Sequence, residues 1–503
     1  MLNFGGFQNS FPGKLMEGKE VEVSCWIKTM DIGKDGCAAM CLGEKSKSGI
    51  YSQQSDTLNV VRGTTNWIRF TTKKRIGDSV DYVIVAGILS GKGTAWFDNI
   101  EIRIDGKRYK DRKIPALKTE LTAKDKRELR KYVYPLRTSE PDDGDTQDLD
   151  ILKTLVADSR VVGLGECTHG TSEIYKMKDR IVRYLAMNDG FDIFSIEGGM
   201  PESSRINDYT IRGEGDPQQL IRNMNLWPWM TEEMLSLVAW MKVYNASEPK
   251  ITFTGIDMQY SAAVMQELQK QVENCPTVSS LVAAVADKLQ HINSSPFWLD
   301  RKLADEIDVD LAGLATEKEI SNLPAEQQVW IRQYIDMLRQ FLTKGKLLDW
   351  RDRGMAANLQ WIMRQHPSSK ILLWAHDLHV GRNEMFPMGA FLKEHLGNDY
   401  LTFGFAGYAG TYTAWKNGLK SFDLPVPAPG TLEYVLGQLD EPIFMLDLKR
   451  MRAENTPALR WLDDLEYREI ASTPEILSVH CITETFDYLI FIRNTSASHI
   501  LKR

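Results

Sequence analysis

The 503-residue chain carries only eight histidines, and three of them sit in two short polar segments, His169 in ECTHG and His376 and His379 in AHDLHV. Each segment follows directly on an apolar run: VVGLG precedes Glu166, and ILLWA precedes His376. Two further apolar runs end in the same manner, FDIFSI on Glu197 and ITFTGI on Asp257. An imidazole held by a carboxylate is the usual unit for taking a proton from water or an alcohol near neutral pH. The i to i+3 spacings of Glu166–His169 and His376–His379 let both members of each pair face one way if the chain turns helically there. A single polar strand end is well explained by local capping. Four of them point to chemistry.

Such ends act together only if the runs belong to one sheet. From about residue 122, short apolar runs (RVVGLGE, FDIFSIE, KITFTGID, KILLWAHD, YLTFGFAG, PIFMLDL, DYLIFIR) alternate with helical periods. That grammar predicts an α/β fold, a mainly parallel sheet flanked by helices. In a parallel sheet all carboxyl ends share one edge, and ligands bind in the crevice outside it. Residues 261–366 show no clear strand and read as a helical lobe. Residues 1–113 read differently, as short alternating runs such as VEVSCWIKT, NWIRFTT and TAWFDNIEIRI between turn clusters. These predict a small all-β sandwich of jelly-roll type, with Trp96 and Phe97 packed inside it and a turn at Asp98 and Asn99. The charged stretch after it reads as a linker, so the expected domains are 1–113 and 114–503.

Composition narrows the classes. The net charge of −7 disfavours a general nucleic-acid binder, and the basic run from Lys107 to Lys113 reads as solvated linker. No tract of eighteen apolar residues could span a membrane. The six cysteines fall in no CxxC or zinc-finger spacing, and the first twenty residues lack signal-peptide grammar, which leaves the compartment open. A serine hydrolase of the nucleophile-elbow type has no GxSxG, and no phosphate-binding or dinucleotide glycine motif is present. Cys167 lies between Glu166 and His169, but sequence neighbours point apart. It is a poor nucleophile candidate. A metal site built from His169, His376, His379 and the carboxylates stays open at this point.

At these residues the chain resembles the erythromycin esterase family along residues 120–500. The matching stretches are VVGLGECTHGTSEIYKMKDRIVRYLAMNDGFDIFSIEGG, LWPWMTEEMLSLVAWMKVYN, ITFTGIDMQ, RDRGMAANLQWIM and LLWAHDLHV. The resemblance implies hydrolysis of an ester, in the known cases a macrolactone antibiotic, and hence a role in antibiotic resistance. It implies water activated by His169 as general base, supported by Glu166 and Glu197, with no metal, cofactor or covalent intermediate. His376 and His379 match the later family histidines. On chemical grounds protonated His376 or His379, or a basic side chain, would meet the developing negative charge. Trp227 and Trp229 would either wall a bulky substrate or pack in the core, with Asp257 at the margin of the cleft. Glu173, Lys176, Arg351 and Asp352 fall in family-like stretches, where substrate contacts and helix salt bridges account for them equally well. The sandwich is an addition, resembling carbohydrate-binding jelly rolls, and either glycan binding or a packing role fits it. Two other functions use the same cleft: a metal-dependent hydrolase, and a non-enzymatic binder of a ligand such as an iron porphyrin.

Overall fold

The computed structural model describes residues 4–34, 36–46, 51–54, 60–78, 80–109, 117–248, 250–292, 299–346, 349–382, 387–479 and 481–502. The chain divides into two compact units, Met1–Ile114 and Pro115–Arg503. Of the expected linker, residues 110–116 lie outside the described residues, and Lys107–Arg108 form a short strand paired to the sandwich instead.

The first unit contains strands β1 (Phe4–Pro12), β2 (Glu20–Ile32), β3 (Cys37–Ser46), β4 (Tyr51–Gln54), β5 (Gly63–Arg75), β6 (Val80–Ser90), β7 (Thr94–Ile104) and β8 (Lys107–Arg108). They form two antiparallel sheets, in the orders β1-β6-β3-β4 and β5-β2-β7-β8. Period-two alternation explains why the sheets pack: Val21, Val23 and Ile27 from one meet Met40, Leu42, Val83 and Val85 from the other in a single buried core. Trp96 corrects the sequence expectation. It is 40% exposed and lies on the outer surface, because the strand turns alternate residues outward and Trp96 falls on the solvent side. Phe97 turns the other way and packs edge-on against Phe7.

The second unit is built on β9 (Val133–Pro135), β10 (Val161–Leu164), β11 (Phe191–Gly199), β12 (Thr252–Asp257), β13 (Lys370–Trp374), β14 (Tyr400–Trp415), β15 (Leu419–Leu424), β16 (Ile443–Asp447) and β19 (Tyr488–Thr495), with β17 (Tyr467–Ile470) and β18 (Ile476–Val479) forming a separate hairpin. The main sheet runs β12-β11-β13-β10-β14-β19-β16-β9, with β15 paired to β14. From β12 to β19 every neighbouring pair is parallel, and β16, β9 and β15 add antiparallel edges. The four residues of β10, VVGL, are all buried, as expected of a strand covered on both faces. Between β12 and β13 the chain forms the helices Ala262–Gln271, Pro276–His291, Arg301–Leu314, Lys318–Ser321, Ala325–Leu342 and Trp350–Gln365.

Strand order places the site. The chain goes from β10 outward to β11 and β12, returns through the helices to β13 between β11 and β10, then crosses to β14 on the far side. The carboxyl ends of β10, β13, β11 and β12 therefore lie side by side where the winding direction reverses. These are the four ends that carry Glu166, His376, Glu197 and Asp257.

Candidate active site

Two glycines shape the turn after β10. A Cβ on Gly165 would fall 1.8 Å from the Asp377 carboxylate, and one on Gly170 would fall 2.0 Å from the Thr413 carbonyl. Gly170 O accepts from the amides of Thr413 at 2.8 Å and Ser498 at 2.9 Å, so β14 and the C-terminal segment both grip the loop. Tyr175, on the helix Ser172–Asn188, donates its hydroxyl to His169 O at 2.7 Å. His169 is thus fixed through its backbone before its ring does anything.

The ring is fixed as well. His169 Nδ1 lies 2.7 Å from Glu166 Oε1. Glu166 is fully buried, and its Oε2 accepts from Lys178 Nζ at 2.8 Å and from Trp374 Nε1 at 2.7 Å. Burial pushes the Glu166 carboxyl up, but Lys178 and His169 outweigh it and hold the group at about 2. A carboxylate so committed can only accept, which makes His169 Nδ1 the donor and leaves Nε2 with the lone pair. Among the described residues no protein group hydrogen-bonds Nε2, and the ring lines the cleft. Lys178 is itself buried, 4.2 Å from the Trp374 ring centre, and burial draws its ammonium down to about 8 despite Glu166.

His376 behaves differently from His169. It caps the short helix Asp377–Val380, its Nδ1 accepting from Leu378 N at 3.1 Å while Nε2 donates to Ile470 O at 3.1 Å. Its own amide donates to Glu197 Oε2 at 3.0 Å. Burial, with the His169 ring alongside, pushes its pKa down to about 3. His376 is therefore neutral, and the expected role as a cationic oxyanion partner is corrected. Its ring lies 4.6 Å from that of His169, centre to centre, and both line the cleft.

The positive charge sits one strand further out. Arg351 bridges Glu197 Oε1 at 2.6 Å and Asp257 Oδ2 at 2.7 Å. His379 Nδ1 lies 2.7 Å from Asp352 Oδ1, and its Nε2 lies 3.3 Å from Glu197 Oε1. Burial opposes a charge on His379, but Asp352 and Glu197 prevail and raise it to about 10. In that protonated state the 3.1 Å approach of Arg351 Nη1 to His379 Nε2 is a contact between cations rather than a hydrogen bond. The carboxylates on both sides screen it. Glu197 is buried, yet His379 and Arg351 hold its carboxyl well below the usual range.

The cleft has a volume of about 360 Å³. His169, His376, His379, Glu197 and Arg351 form part of its lining, with Trp227, Tyr260 and Trp415 among the aromatic groups. Tyr260 and Trp415 are more than half exposed, and the Trp227 ring stands edge-on to His169 at 6.3 Å. Trp229 is 2% exposed, and its indole donates to Glu197 O at 3.0 Å, so it is chiefly a brace. Glu166 and Asp257 lie beneath the lining.

Two expected substrate contacts are corrected. Glu173 accepts from the Ser496 amide and hydroxyl, both at 2.6 Å, and Lys176 pairs with Glu140 at 2.9 Å. Neither lines the cleft. The sequence reading missed Lys178, Trp374 and Tyr175. Tyr175 and Lys178 are i and i+3 on a helix whose inner face meets the site, a spacing that could have marked the inward lysine. Cys167 is 3% exposed, and burial with Asp377 and Glu433 nearby pushes its thiol well up. Such a thiol is inert. Among the described residues no three His, Cys, Asp or Glu side chains are grouped to hold a metal ion.

Fold and site define an α/β protein with a histidine–carboxylate centre at the switch point of a parallel sheet. The family model described as erythromycin esterase matches residues 186–495, and the chain belongs to that family. Membership supports a hydrolase. The match includes Glu197, Asp257, Arg351, His376 and His379 and begins after Glu166 and His169. A putative hydrolase, YbfO, of Bacillus subtilis strain 168 is 25% identical over 383 residues, covering 66% of this chain and 83% of that one. Erythromycin esterase type II of Escherichia coli is 24% identical over 350 residues, covering 59% and 83%. A solved structure described as a succinoglycan biosynthesis protein superposes with a TM-score of 0.65 at 26% identity, covering 75% of this chain and 98% of that one. An erythromycin esterase mutant in an open conformation superposes at 0.60 and 17% identity, covering 74% and 100%, a likeness of fold.

Proposed function

We propose that the protein is a carboxylic ester hydrolase that activates water directly at His169, without a metal ion or covalent intermediate. The observation that carries this reading is the 2.7 Å contact of His169 Nδ1 with a Glu166 already bound by Lys178 and Trp374. It fixes the tautomer that presents a basic Nε2 to the cleft. Water at Nε2 loses its proton to the ring as its oxygen bonds to the ester carbon; a positioned base of this kind contributes roughly 10²–10⁴ in rate. The carbonyl oxygen becomes an oxyanion, met by the Arg351 and His379 side of the cleft. As the carbon–alkoxide bond breaks, His169 returns the proton to the leaving oxygen, giving acid and alcohol.

The aromatic rim of Trp227, Tyr260 and Trp415 suits an ester with a bulky apolar or ring-bearing alcohol, of which a macrolactone is one kind. Action on macrolide antibiotics, and with it a resistance role, extends the reading from relatives bearing the erythromycin esterase name. The test is a screen of purified protein against simple acyl esters and macrolactones, each with and without a chelator. The expected result is hydrolysis of at least one ester at a rate the chelator leaves unchanged. Loss of activity in chelator and its return with added zinc would establish the metal-dependent alternative. A porphyrin-type absorbance band with no hydrolysis would favour the binder.

A further inference from the structure

The N-terminal unit carries an aromatic face that its core does not use. On β2, Val21, Val23, Cys25 and Ile27 are buried on one side, which turns Trp26 and Lys28 to the other. Register builds a surface around them. Trp26 lies opposite Arg69 on β5 and Asp98 on β7, and Lys28 lies opposite Trp96. Trp67 falls beside Lys28, since Ile68 and Thr65, which bracket Asn66 and Trp67, pair with Ile27 and Thr29. Trp26, Trp67 and Trp96 are 41%, 40% and 40% exposed, on three adjacent strands of one small sheet. Grouped exposed aromatics of this kind mark a binding surface more often than packing.

The charges beside these rings identify the ligand chemistry. Elsewhere on the sheet Lys73 pairs with Glu22, and Arg103 and Arg108 pair with Glu101. Among the described residues Lys28 and Arg69 make no carboxylate ion pair, and Lys28 Nζ lies 5.5 Å from the Trp96 ring centre. Asp98 is the acidic member of the patch and accepts from the Asn99 amide. The unit as a whole is basic, with 18 Lys and Arg against 13 Asp and Glu in residues 1–114, although the full chain is net acidic.

We propose that this face binds an acidic saccharide chain, with sugar rings on Trp26, Trp67 and Trp96 and sugar carboxylates on Lys28 and Arg69. A sugar ring has an apolar C–H face and a hydroxyl edge, matching an indole plane bordered by hydrogen-bonding side chains. Cations beside the rings that make no carboxylate ion pair among the described residues favour an anionic chain over a neutral one. A single-stranded nucleic acid would bring one phosphate with every base and calls for a continuous cationic track. Lys28, Arg69 and the aspartate among three rings fit a sparser negative charge. The inference is independent of the proposed esterase activity.

The experiment is affinity electrophoresis of the full-length protein through gels containing polygalacturonate or dextran, with an oligo(dT) gel shift alongside. Retardation by polygalacturonate is expected to exceed that by dextran. Trp26→Ala with Trp96→Ala should weaken it by about tenfold or more. Lys28→Gln with Arg69→Gln, which leaves the aromatic rings intact, should lower polygalacturonate retardation to the dextran level. No retardation by polygalacturonate, equal retardation by dextran, tighter binding of oligo(dT), or full binding by the lysine–arginine variant would each overturn the proposal.

Discussion

Replacing His169 by asparagine is expected to give a folded protein that turns over its ester roughly 10²–10⁴-fold more slowly. Asparagine keeps a donor and an acceptor near the loop but cannot take a proton at neutral pH. The fold should survive, because the His169 backbone is held by Tyr175 and the glycine beside it by Thr413 and Ser498. Glu166 also keeps Lys178 and Trp374 as partners. The loss should appear in kcat more than in KM, since the proton moves only in the transition state. Far-ultraviolet circular dichroism and steady-state kinetics on the same preparation check both halves. Unchanged kcat in a folded His169→Asn variant would remove the base from the account.

The largest stability effect is expected at Arg351. Glu197 and Asp257 are 6% and 1% exposed, and Arg351 bridges both. Arg351→Met keeps much of the volume but leaves two buried carboxylates short of their shared cation. Breaking a buried pair from one side costs about 3–5 kcal/mol. The variant should therefore unfold at markedly lower urea concentration, and its residual activity should fall as Glu197 moves off the His376 amide. Arg351→Lys should recover only part of the loss, since a point charge cannot reproduce the fork that spans two carboxylates. Urea midpoints for the three proteins decide the matter. A change below about 0.5 kcal/mol in Arg351→Met, the range of an ordinary surface substitution, would show that the bridge adds nothing.

What could be read from the chain was whatever repeats along it. Apolar runs ending in Glu166, Glu197, Asp257 and His376 implied one sheet edge, and the structure brings those ends together on four neighbouring strands. Roles were harder. His376 and His379 look equivalent in AHDLHV, yet one caps a helix as a neutral ring and the other is charged between Asp352 and Glu197. The partners that separate them come from distant segments, Ile470 and Asp352. Lys176 and Lys178 posed the same problem two residues apart, and the i, i+3 spacing of Lys178 from Tyr175 was a local clue to which one reaches Glu166. The hold of Ser498 on Gly170, and of Ser496 on Ser172 and Glu173 at the start of the next helix, was invisible for a similar reason, as nothing local in either stretch announces the other.

Direct attack by water is the central claim, and the intact mass of the protein during turnover tests it most directly. An accepted ester is mixed with enzyme, quenched in acid at intervals shorter and longer than one turnover, and the protein is weighed by mass spectrometry. Cys167 is buried with its thiol pKa pushed well up, and the proposed base is His169. The account predicts an unmodified mass at every interval, with product acid rising linearly from the first and no burst. A transient mass increase equal to the acyl group, on Cys167 or any other side chain, would contradict it.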